Sequence, residues 1–310
     1  MLSVVIPAYN EAGSILCAAE RVGEVLRRAD ISYELLFVDD GSDDGTWEEV
    51  MRAAKRDPAV RGISFSRNFG KEAAIFAGLE AAEGDCCAVI DCDLQHPPEK
   101  LAEMYAFWQQ GWEIVNGVKK SRGNESVFRR FAARSFYKIM DKTMRIDMSR
   151  ASDFKLMDRR VVDTLLALSE RKTFFRALTE WTGFRTMELE FDVAQRLTGH
   201  TRWSTISLFR YAISNIASSS SAPMQIVTIL GALTLLFSVV LGVQTLINWA
   251  RGAAADGFTT VIILILLIGS ILMISLGIIG YYIAQIFYEI KARPRYIIAN
   301  VCGRERDGHI

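Results

Sequence analysis

The first hundred residues alternate short apolar runs with amphipathic segments. Runs rich in β-branched and aromatic residues predict buried strands, which lie at residues 2–6, 33–38, 60–64 and 86–90. Apolar residues spaced three and four apart predict the intervening helices, at about residues 14–29, 47–56 and 69–82. Strands that alternate with helices favour a parallel sheet joined by right-handed crossovers. The pattern therefore predicts an α/β domain with a mostly parallel sheet.

Two stretches in the second half of the chain carry no charged side chain. Residues 211–250 and 257–288 contain no Asp, Glu, Lys or Arg, and each exceeds the roughly 20 apolar residues that cross a bilayer. The chain is therefore expected to have four parts. These are a cytoplasmic globular domain at 1–203, an interfacial amphipathic helix at 204–222, a transmembrane hairpin at 223–290 with spans at about 224–249 and 258–287, and a cytoplasmic tail at 291–310.

Basic residues flank the predicted hairpin but are sparse in its link. The link at 251–257 contains a single Arg, whereas both flanks are basic, with Arg202, Arg210, Lys291 and Arg293. Because positive flanks stay on the cytoplasmic side, both ends of the hairpin are expected there. The chain also opens on strand-like residues, with no signal-peptide pattern. The expected location is the inner (plasma) membrane, as a multi-pass protein whose globular domain is cytoplasmic.

Charge balance and glycine spacing argue against several classes of binding protein. The 36 Lys and Arg residues equal the 36 Asp and Glu residues, so no net field would attract nucleic acid. No GxGxxG follows the first strand and no GxxxxGK[ST] occurs, which argues against a Rossmann dinucleotide site and a P-loop. Phosphates would then be held by side chains and a metal ion.

Three of the predicted strands end in polar turns, at residues 7–11, 39–46 and 91–99. The carboxyl ends of parallel strands meet at one edge of a sheet, where ligands collect. Asp91 and Asp93 are two residues apart, so their side chains lean to the same side where the strand ends. Two such anions suit a divalent metal ion that holds a diphosphate. Taken alone, the pair could also consist of solvated turn residues.

Ordered motifs carry a family resemblance. They are VVIPAYNE at 4–11, VDDGSDDGT at 38–46, SRNFGKEAA at 66–74, DCDLQHPPE at 91–99, SDFKLMDRR at 152–160 and QRLTGHTRW at 195–203. With the two apolar stretches, this order resembles the polyprenyl-phosphate glycosyltransferases of family 2, the group of bactoprenol glucosyltransferases and dolichol-phosphate mannose synthases. The resemblance covers nearly the whole chain. In the last motif, Thr201 and Arg202 stand where the family usually has Ser and Lys, so a hydroxyl and a positive charge are kept.

The resemblance implies a GT-A-like domain that transfers a sugar, with inversion, from a nucleotide diphosphate sugar to a polyprenyl phosphate. UDP-glucose is the expected donor and undecaprenyl phosphate the expected acceptor. GDP-mannose, UDP-N-acetylhexosamine and UDP-4-amino-arabinose donors use the same framework and stay open. The implied cofactor is Mg²⁺ or Mn²⁺. The implied partners are the lipid bilayer and further copies of the chain, and a tetrameric homo-oligomer would suit the resemblance.

The same resemblance assigns roles to residues of the donor site. Asp39 and Asp40 would bind the base and the ribose. Asp91 and Asp93 would hold the metal ion on the diphosphate, with Asp93 as a catalytic carboxylate. His96 would either form a hydrogen bond in the pocket or serve only as a residue of the turn, and the sequence does not decide between the two. The other residues of the nucleotide-sugar pocket would be Pro7, Tyr9, Glu11 and Gln95.

Basic residues are expected to hold the acceptor. A lipid phosphate is already anionic at neutral pH, so the reaction needs no strong protein base but does need cations that bring two anions together. The catalytic candidates are Arg122, Arg196 and Arg202, with Lys119 and Lys120 behind them as further lipid-phosphate ligands. Asp153 would orient an arginine or the acceptor; a helix cap or a structural salt bridge is the alternative.

Two rival functions remain at this point. A processive or glycan-directed family 2 transferase tends to carry a Gln-x-x-Arg-Trp element and more spans, and Gln195 is not followed by that spacing. A membrane sensor or scaffold that binds a nucleotide sugar without turnover is expected to have lost the metal carboxylates or the basic acceptor residues, and both are present. The sequence therefore favours the polyprenyl-phosphate transferase.

Overall fold

The computed structural model divides the chain into two compact units, Met1–Trp203 with Pro294–Ile310, and Ser204–Arg293. The structure describes residues 1–119, 152–168, 174–192, 222–251, 258–291 and 293–303. In these ranges the first unit is an α/β domain, as predicted, and the second consists of two long helices.

Strands and helices alternate through the first part of the α/β domain. Its strands are β1 (Leu2–Ala8), β2 (Tyr33–Asp39), β3 (Val60–Phe65), β4 (Cys86–Val89), β5 (Ile114–Lys119), β6 (Lys155–Asp158), β7 (Thr186–Phe191) and β8 (Ile298–Cys302). Its helices are α1 (Ile15–Arg28), α2 (Thr46–Arg56), α3 (Lys71–Ala81), α4 (Glu99–Gln109), α5 (Arg159–Ala167) and α6 (Phe175–Trp181). The predicted alternation of strands and helices over the first hundred residues is confirmed.

The eight strands form one mixed sheet in the order β7-β5-β6-β4-β1-β2-β3-β8. Strands β4, β1, β2 and β3 run parallel, and β7 runs parallel to β5. Strand β6 runs antiparallel between β4 and β5, and β8 runs antiparallel beside β3. The prediction of a mostly parallel sheet is confirmed, with β6 and β8 as the antiparallel additions.

Helices cover both faces of the central strands because successive side chains of a strand point to opposite faces. In β1, Leu2 and Val4 belong to the core that contains α1, whereas Val5 belongs to the core that contains α3 and α5. Helix α3 comes very close to the sheet at Gly78, where an added Cβ atom would lie 2.2 Å from Val5 Cγ1. This close packing places the start of α3 beside the carboxyl ends of the strands.

The chain returns to the α/β domain after its apolar helices. Strand β8 pairs with β3, and the ring of Tyr296 stacks on Phe65 with centroids 5.0 Å apart. Arg295 donates a hydrogen bond of 2.7 Å to the Leu168 carbonyl. The sequence predicts only a tail at residues 291–310. Strand β8 has five residues, too few to show a hydrophobic periodicity that would predict it. Its partner β3 lies more than two hundred residues earlier in the chain.

The second unit contains helices α7 (Ala222–Ala250) and α8 (Phe258–Ile290). Within the described residues, the segment Leu267–Phe287 of α8 is long and apolar enough to cross a membrane. A shorter apolar segment, Ile229–Leu241, lies in α7. Exposed Leu, Ile, Val, Met and Phe side chains cover much of both helices. The predicted interfacial helix at 204–222 lies outside the described residues, apart from its last position.

Candidate active site

Sheet topology gathers the motifs within the described residues at one edge of the sheet. The turns after β1, β2, β3 and β4 meet there because these strands are parallel. Strand β6 is antiparallel to β4, with Lys155 opposite Val89, so Asp153 just before β6 lies at the same edge. Strand β5 is antiparallel to β6 and ends at Lys119, and its parallel neighbour β7 ends at Phe191.

Hydrogen bonds join the first two polar turns into one structure. The Asn10 amide donates to Ser42 Oγ at 2.9 Å, and the Asp43 amide donates back to Asn10 Oδ1 at 3.0 Å. The Glu11 amide donates to Thr46 Oγ1 at 2.9 Å. Asn10 has a φ of 55°, a left-handed conformation that asparagine tolerates. Beside this asparagine, Tyr9 remains 43% exposed and available to a ligand.

The predicted base- and ribose-binding residues, Asp39 and Asp40, are both buried. Asp39 accepts hydrogen bonds from the Ser42 amide at 3.1 Å and from Ser64 Oγ at 2.8 Å. Asp40 accepts from the amides of Phe69 and Gly70, at 2.7 and 2.9 Å. Burial raises the pKa of Asp40, and these amides oppose the rise. The two carboxylates therefore hold together the turns after β2 and β3, and their contact with a nucleotide stays a prediction.

Asp91 follows β4 and contacts a cation from another turn. Lys71, the first residue of α3, places its Nζ 2.5 Å from Asp91 Oδ1. Although burial opposes the effect, Lys71 holds the pKa of Asp91 below its ordinary value. Asp93 accepts a hydrogen bond of 3.1 Å from the Gln95 amide, and Leu94 between them has a φ of 53°. The turn thus keeps both predicted metal ligands at the end of β4.

Asp153 pairs with two cations. Its carboxylate accepts from Arg176 Nε and Nη2 at 2.7 and 2.8 Å and from Lys71 Nζ at 2.9 Å. Burial would raise the pKa of Asp153, but Lys71 and Arg176 lower it well below the usual range. Asp153 therefore contacts an arginine, as the sequence interpretation requires, and it also forms the salt bridges of the alternative. Whether this arrangement serves transfer stays a prediction.

Helix α6, which carries Arg176, is attached by two further ionisable residues that the sequence interpretation missed. Glu72 accepts a hydrogen bond of 2.9 Å from the Phe175 amide, and burial, together with the charge of Asp153, raises its pKa to about 7. Lys155 is fully buried and donates to Thr179 Oγ1. Burial lowers the pKa of Lys155 to about 8.

A signal for some of these residues existed in the sequence. Lys71 and Glu72 belong to the motif at 66–74, and Lys155 belongs to the motif at 152–160. These charged residues lie within the same motifs that were used to recognise the family, so the motifs could have indicated them as site residues. Arg176 lies in no such motif, and its pairing with Asp153 depends on the position of α6.

His96 connects three parts of the site. Its buried ring stacks on Phe154 at 4.9 Å and meets the edge of Phe191 at 5.5 Å. Burial lowers the pKa of His96, which favours the neutral ring. Its Nδ1 atom has no hydrogen-bond partner among the residues that the structure describes. The ring therefore joins the turn after β4 to the residue that follows Asp153 and to the end of β7.

The structure locates one of the five predicted lipid-phosphate ligands. Lys119 ends β5, and burial lowers its pKa, while Asp91 opposes the shift and Arg176 adds to it. Lys119 therefore lies within electrostatic reach of the carboxylates at the sheet edge. The others lie outside the described residues: Lys120, Arg122, Arg196 and Arg202.

The carboxylates fit a divalent metal ion that shares its ligands with a substrate. Within the described ranges, no group of three or more His, Cys, Asp or Glu side chains forms a metal site. Mg²⁺, however, is commonly bound by one or two carboxylates plus substrate phosphates. The Lys71 ammonium on Asp91 shows that this position stabilises a cation. Asp91 and Asp93 would hold Mg²⁺ or Mn²⁺, with a diphosphate completing the coordination.

The carboxyl edge of an open α/β sheet is where ligands bind, and the carboxylates, lysine and arginine at this edge can hold a cation and stabilise negative charge. Comparison with known proteins gives the family. Residues 3–166 match the model of glycosyl transferase family 2. The chain belongs to this family and is a glycosyltransferase.

Several curated relatives align over nearly the whole chain. A prophage bactoprenol glucosyl transferase homolog of Escherichia coli is 34% identical over 97% of this chain and 99% of its own length. The bactoprenol glucosyl transferase of Shigella phage SfV is 34% identical over 96% of this chain and 98% of its own. An uncharacterized glycosyltransferase of Synechocystis is 35% identical over 98% of this chain and 96% of its own. The resemblance to family 2 enzymes of the bactoprenol glucosyl transferase type is confirmed.

Solved structures show a more distant likeness. A glucosyl-3-phosphoglycerate synthase from Mycobacterium tuberculosis, crystallised with Mn²⁺, UDP-glucose and phosphoglyceric acid, aligns with a TM-score of 0.48 at 20% identity. The alignment covers 70% of this chain and 77% of that one. A likeness of this strength carries no argument about the substrates of this chain.

Proposed function

We propose that the protein transfers a sugar, with inversion, from a nucleotide diphosphate sugar to a polyprenyl phosphate. UDP-glucose is the proposed donor and undecaprenyl phosphate the proposed acceptor. The main support is that Asp91, Asp153, Lys71 and Arg176 are joined at one edge of the sheet. Carboxylates that would bind the metal ion and cations that would bind phosphate meet there. The names of the full-length relatives from Escherichia coli and Shigella phage SfV support the choice of acceptor and sugar.

The donor side would use the turns after β1, β2 and β4. Pro7, Tyr9 and Glu11 would line the nucleotide-sugar pocket together with Asp39, Asp40 and Gln95. Asp91 and Asp93 would hold the metal ion on the diphosphate. A bound Mg²⁺ or Mn²⁺ supplies positive charge for the nucleoside diphosphate as it leaves.

The acceptor side would supply the nucleophile itself. An oxygen of the lipid phosphate attacks the anomeric carbon as the bond from that carbon to the diphosphate oxygen breaks, so the configuration inverts and the nucleoside diphosphate departs with the electron pair. No protein base is needed because the attacking phosphate is already ionised. The proposed lipid-phosphate ligands are Lys119, Lys120, Arg122, Arg196 and Arg202. Asp153 would orient the Arg176 guanidinium beside them.

The membrane hairpin is part of the proposal. Both ends of the segment Ser204–Arg293 lead into the same folded unit, since β8 pairs with β3. A segment that leaves a folded unit and returns to it crosses a bilayer an even number of times. If Leu267–Phe287 crosses once, helix α7 is the expected second crossing, because its 29 residues contain no charged side chain. We place the α/β domain and the tail on the cytoplasmic side of the inner membrane.

One experiment separates this proposal from its rivals. Purified full-length protein would be incubated with undecaprenyl phosphate and a panel of radiolabelled UDP- and GDP-sugars in the presence of Mn²⁺ or Mg²⁺. The expected product is a mild-acid-labile lipid-linked sugar, formed most rapidly from UDP-glucose. A faster reaction with another donor would correct the sugar but keep the reaction. Nucleotide-sugar binding without any product would instead support a non-catalytic binding protein.

A further inference from the structure

Lys71 sits at the junction of the donor and acceptor sides of the site. Its backbone position is set from the donor side, because Asp40 binds the amides of Phe69 and Gly70 immediately before it. Its ammonium contacts Asp91 at 2.5 Å and Asp153 at 2.9 Å. One cation thus links the turn after β4 to the segment before β6.

This contact places Lys71 on a carboxylate oxygen that a metal ion would need. Asp91 has one carboxylate for both cations, and a divalent ion bound to it would repel an ammonium at salt-bridge distance. Asp153 offers the ammonium a second partner, and the Lys71 side chain is 43% exposed. The lysine therefore has room to leave Asp91 while it keeps its contact with Asp153.

We infer that Lys71 is a resident cation that occupies Asp91 until a metal ion and a nucleotide displace it. Lys71 then acts as a positioning residue: it keeps Asp91 neutralised in the empty site and moves toward Asp153 and the acceptor side when the donor binds. The metal ion binds weakly alone and tightly with a diphosphate, because the diphosphate supplies the ligands that offset the displacement. The inference rests on the metal-binding role proposed above for Asp91.

The first test measures binding of Mn²⁺ alone, without activity. Full-length protein in detergent would be titrated with Mn²⁺ in the absence of nucleotide, and free Mn²⁺ would be measured by electron paramagnetic resonance. Lys71→Met is expected to lower the Kd for Mn²⁺ at least five-fold, whereas Lys71→Arg keeps the competing charge and the wild-type Kd. Lys100→Met is the matched control, since it removes an ammonium paired with Glu103 on α4, and it should leave the Kd unchanged.

A purely structural salt bridge predicts a different result. If the Kd of Lys71→Met for Mn²⁺ is within two-fold of the wild-type value, or higher, Lys71 does not compete with the metal ion. This result would overturn the inference about Lys71 while leaving the metal site intact. Failure of every variant and of the wild type to bind Mn²⁺, with and without UDP, would remove the metal role and the exchange together. The two failures are therefore distinguishable.

A second measurement uses the wild-type protein and does not depend on how the variants fold. An amine-reactive ester would label the protein with and without Mn²⁺, and mass spectrometry would quantify labelling of Lys71 relative to Lys100. Two ion pairs hold the Lys71 ammonium in the metal-free protein, and loss of the pair with Asp91 would leave the amine freer to react. Labelling of Lys71 is expected to rise at least two-fold with Mn²⁺, and an unchanged ratio would contradict the exchange.

Discussion

Replacement of Asp153 by Asn tests the link between the acceptor side and the rest of the site. The substitution keeps the size of the side chain but removes the charge that faces Lys71 and Arg176. Asp153 is buried, with a side chain 8% exposed, and it accepts three hydrogen bonds from these cations. A hydrogen bond to a charged group contributes about 1.5–3 kcal/mol.

The full sum of these contributions does not apply, because both cations reach solvent. The Lys71 side chain is 43% exposed and that of Arg176 is 37% exposed, so each can be rehydrated once its partner is neutral. A loss of about 2–4 kcal/mol is therefore expected, part of it because Lys71 and Arg176 lose the opposite charge of a buried partner. For a domain of this size it corresponds to a fall in Tm of roughly 5–15 °C.

The pH dependence carries a sign that can be checked. The pKa of Asp153 is lowered in the folded protein, so its stabilisation is present above the unfolded value of about 4 and is lost as the pH falls below that value. The Tm difference between wild type and Asp153→Asn should therefore be full at pH 7 and shrink at strongly acid pH.

The assay combines thermal unfolding in detergent with single-turnover transfer to a polyprenyl phosphate. Transfer by Asp153→Asn is expected to fall about 100-fold, close to 3 kcal/mol, because Arg176 loses its orientation. Asp163→Asn is the control, since Asp163 forms an exposed pair with Arg159 on α5. It should change stability by less than about 0.5 kcal/mol. Wild-type Tm and wild-type transfer in Asp153→Asn would refute the reasoning from this ion-pair cluster.

Three further predictions concern burial, the metal and the acceptor. Burial lowers the pKa of Lys155 from its ordinary value of 10.5 to about 8. Between these two pH values the unfolded chain holds a proton that the folded protein has lost, so stability rises with pH. Lys155→Met should flatten this rise in Tm measurements across alkaline pH. Asp93→Asn should reduce kcat/KM for the donor at least 100-fold, and recovery of wild-type rates by extra Mn²⁺ would contradict a role beyond metal affinity. Arg122→Ala and Arg196→Ala should abolish most transfer with Tm nearly unchanged, and a folded variant with near-wild-type transfer would exclude that arginine.

The sequence by itself determined the local structure and the residue types that each motif carries. Periods of two and 3.6 residues predict the alternation of strands and helices. The Asp91 and Asp93 pair is visible as a short spacing, and the two charge-free stretches are visible from composition alone. These signals need no knowledge of distant residues. The family resemblance rested on the same short motifs, and the family match confirms it.

Only the tertiary structure decided which motifs meet. Asp153 lies next to Lys71 because β6 runs antiparallel to β4, and no periodicity within residues 152–160 specifies that direction. Arg176 reaches Asp153 because Glu72 and Lys155 attach α6 at that point. Strand β8 likewise exists through its pairing with β3. Such contacts join residues far apart in the chain, and their stability comes from burial and charge pairing that arise only when the sheet has formed.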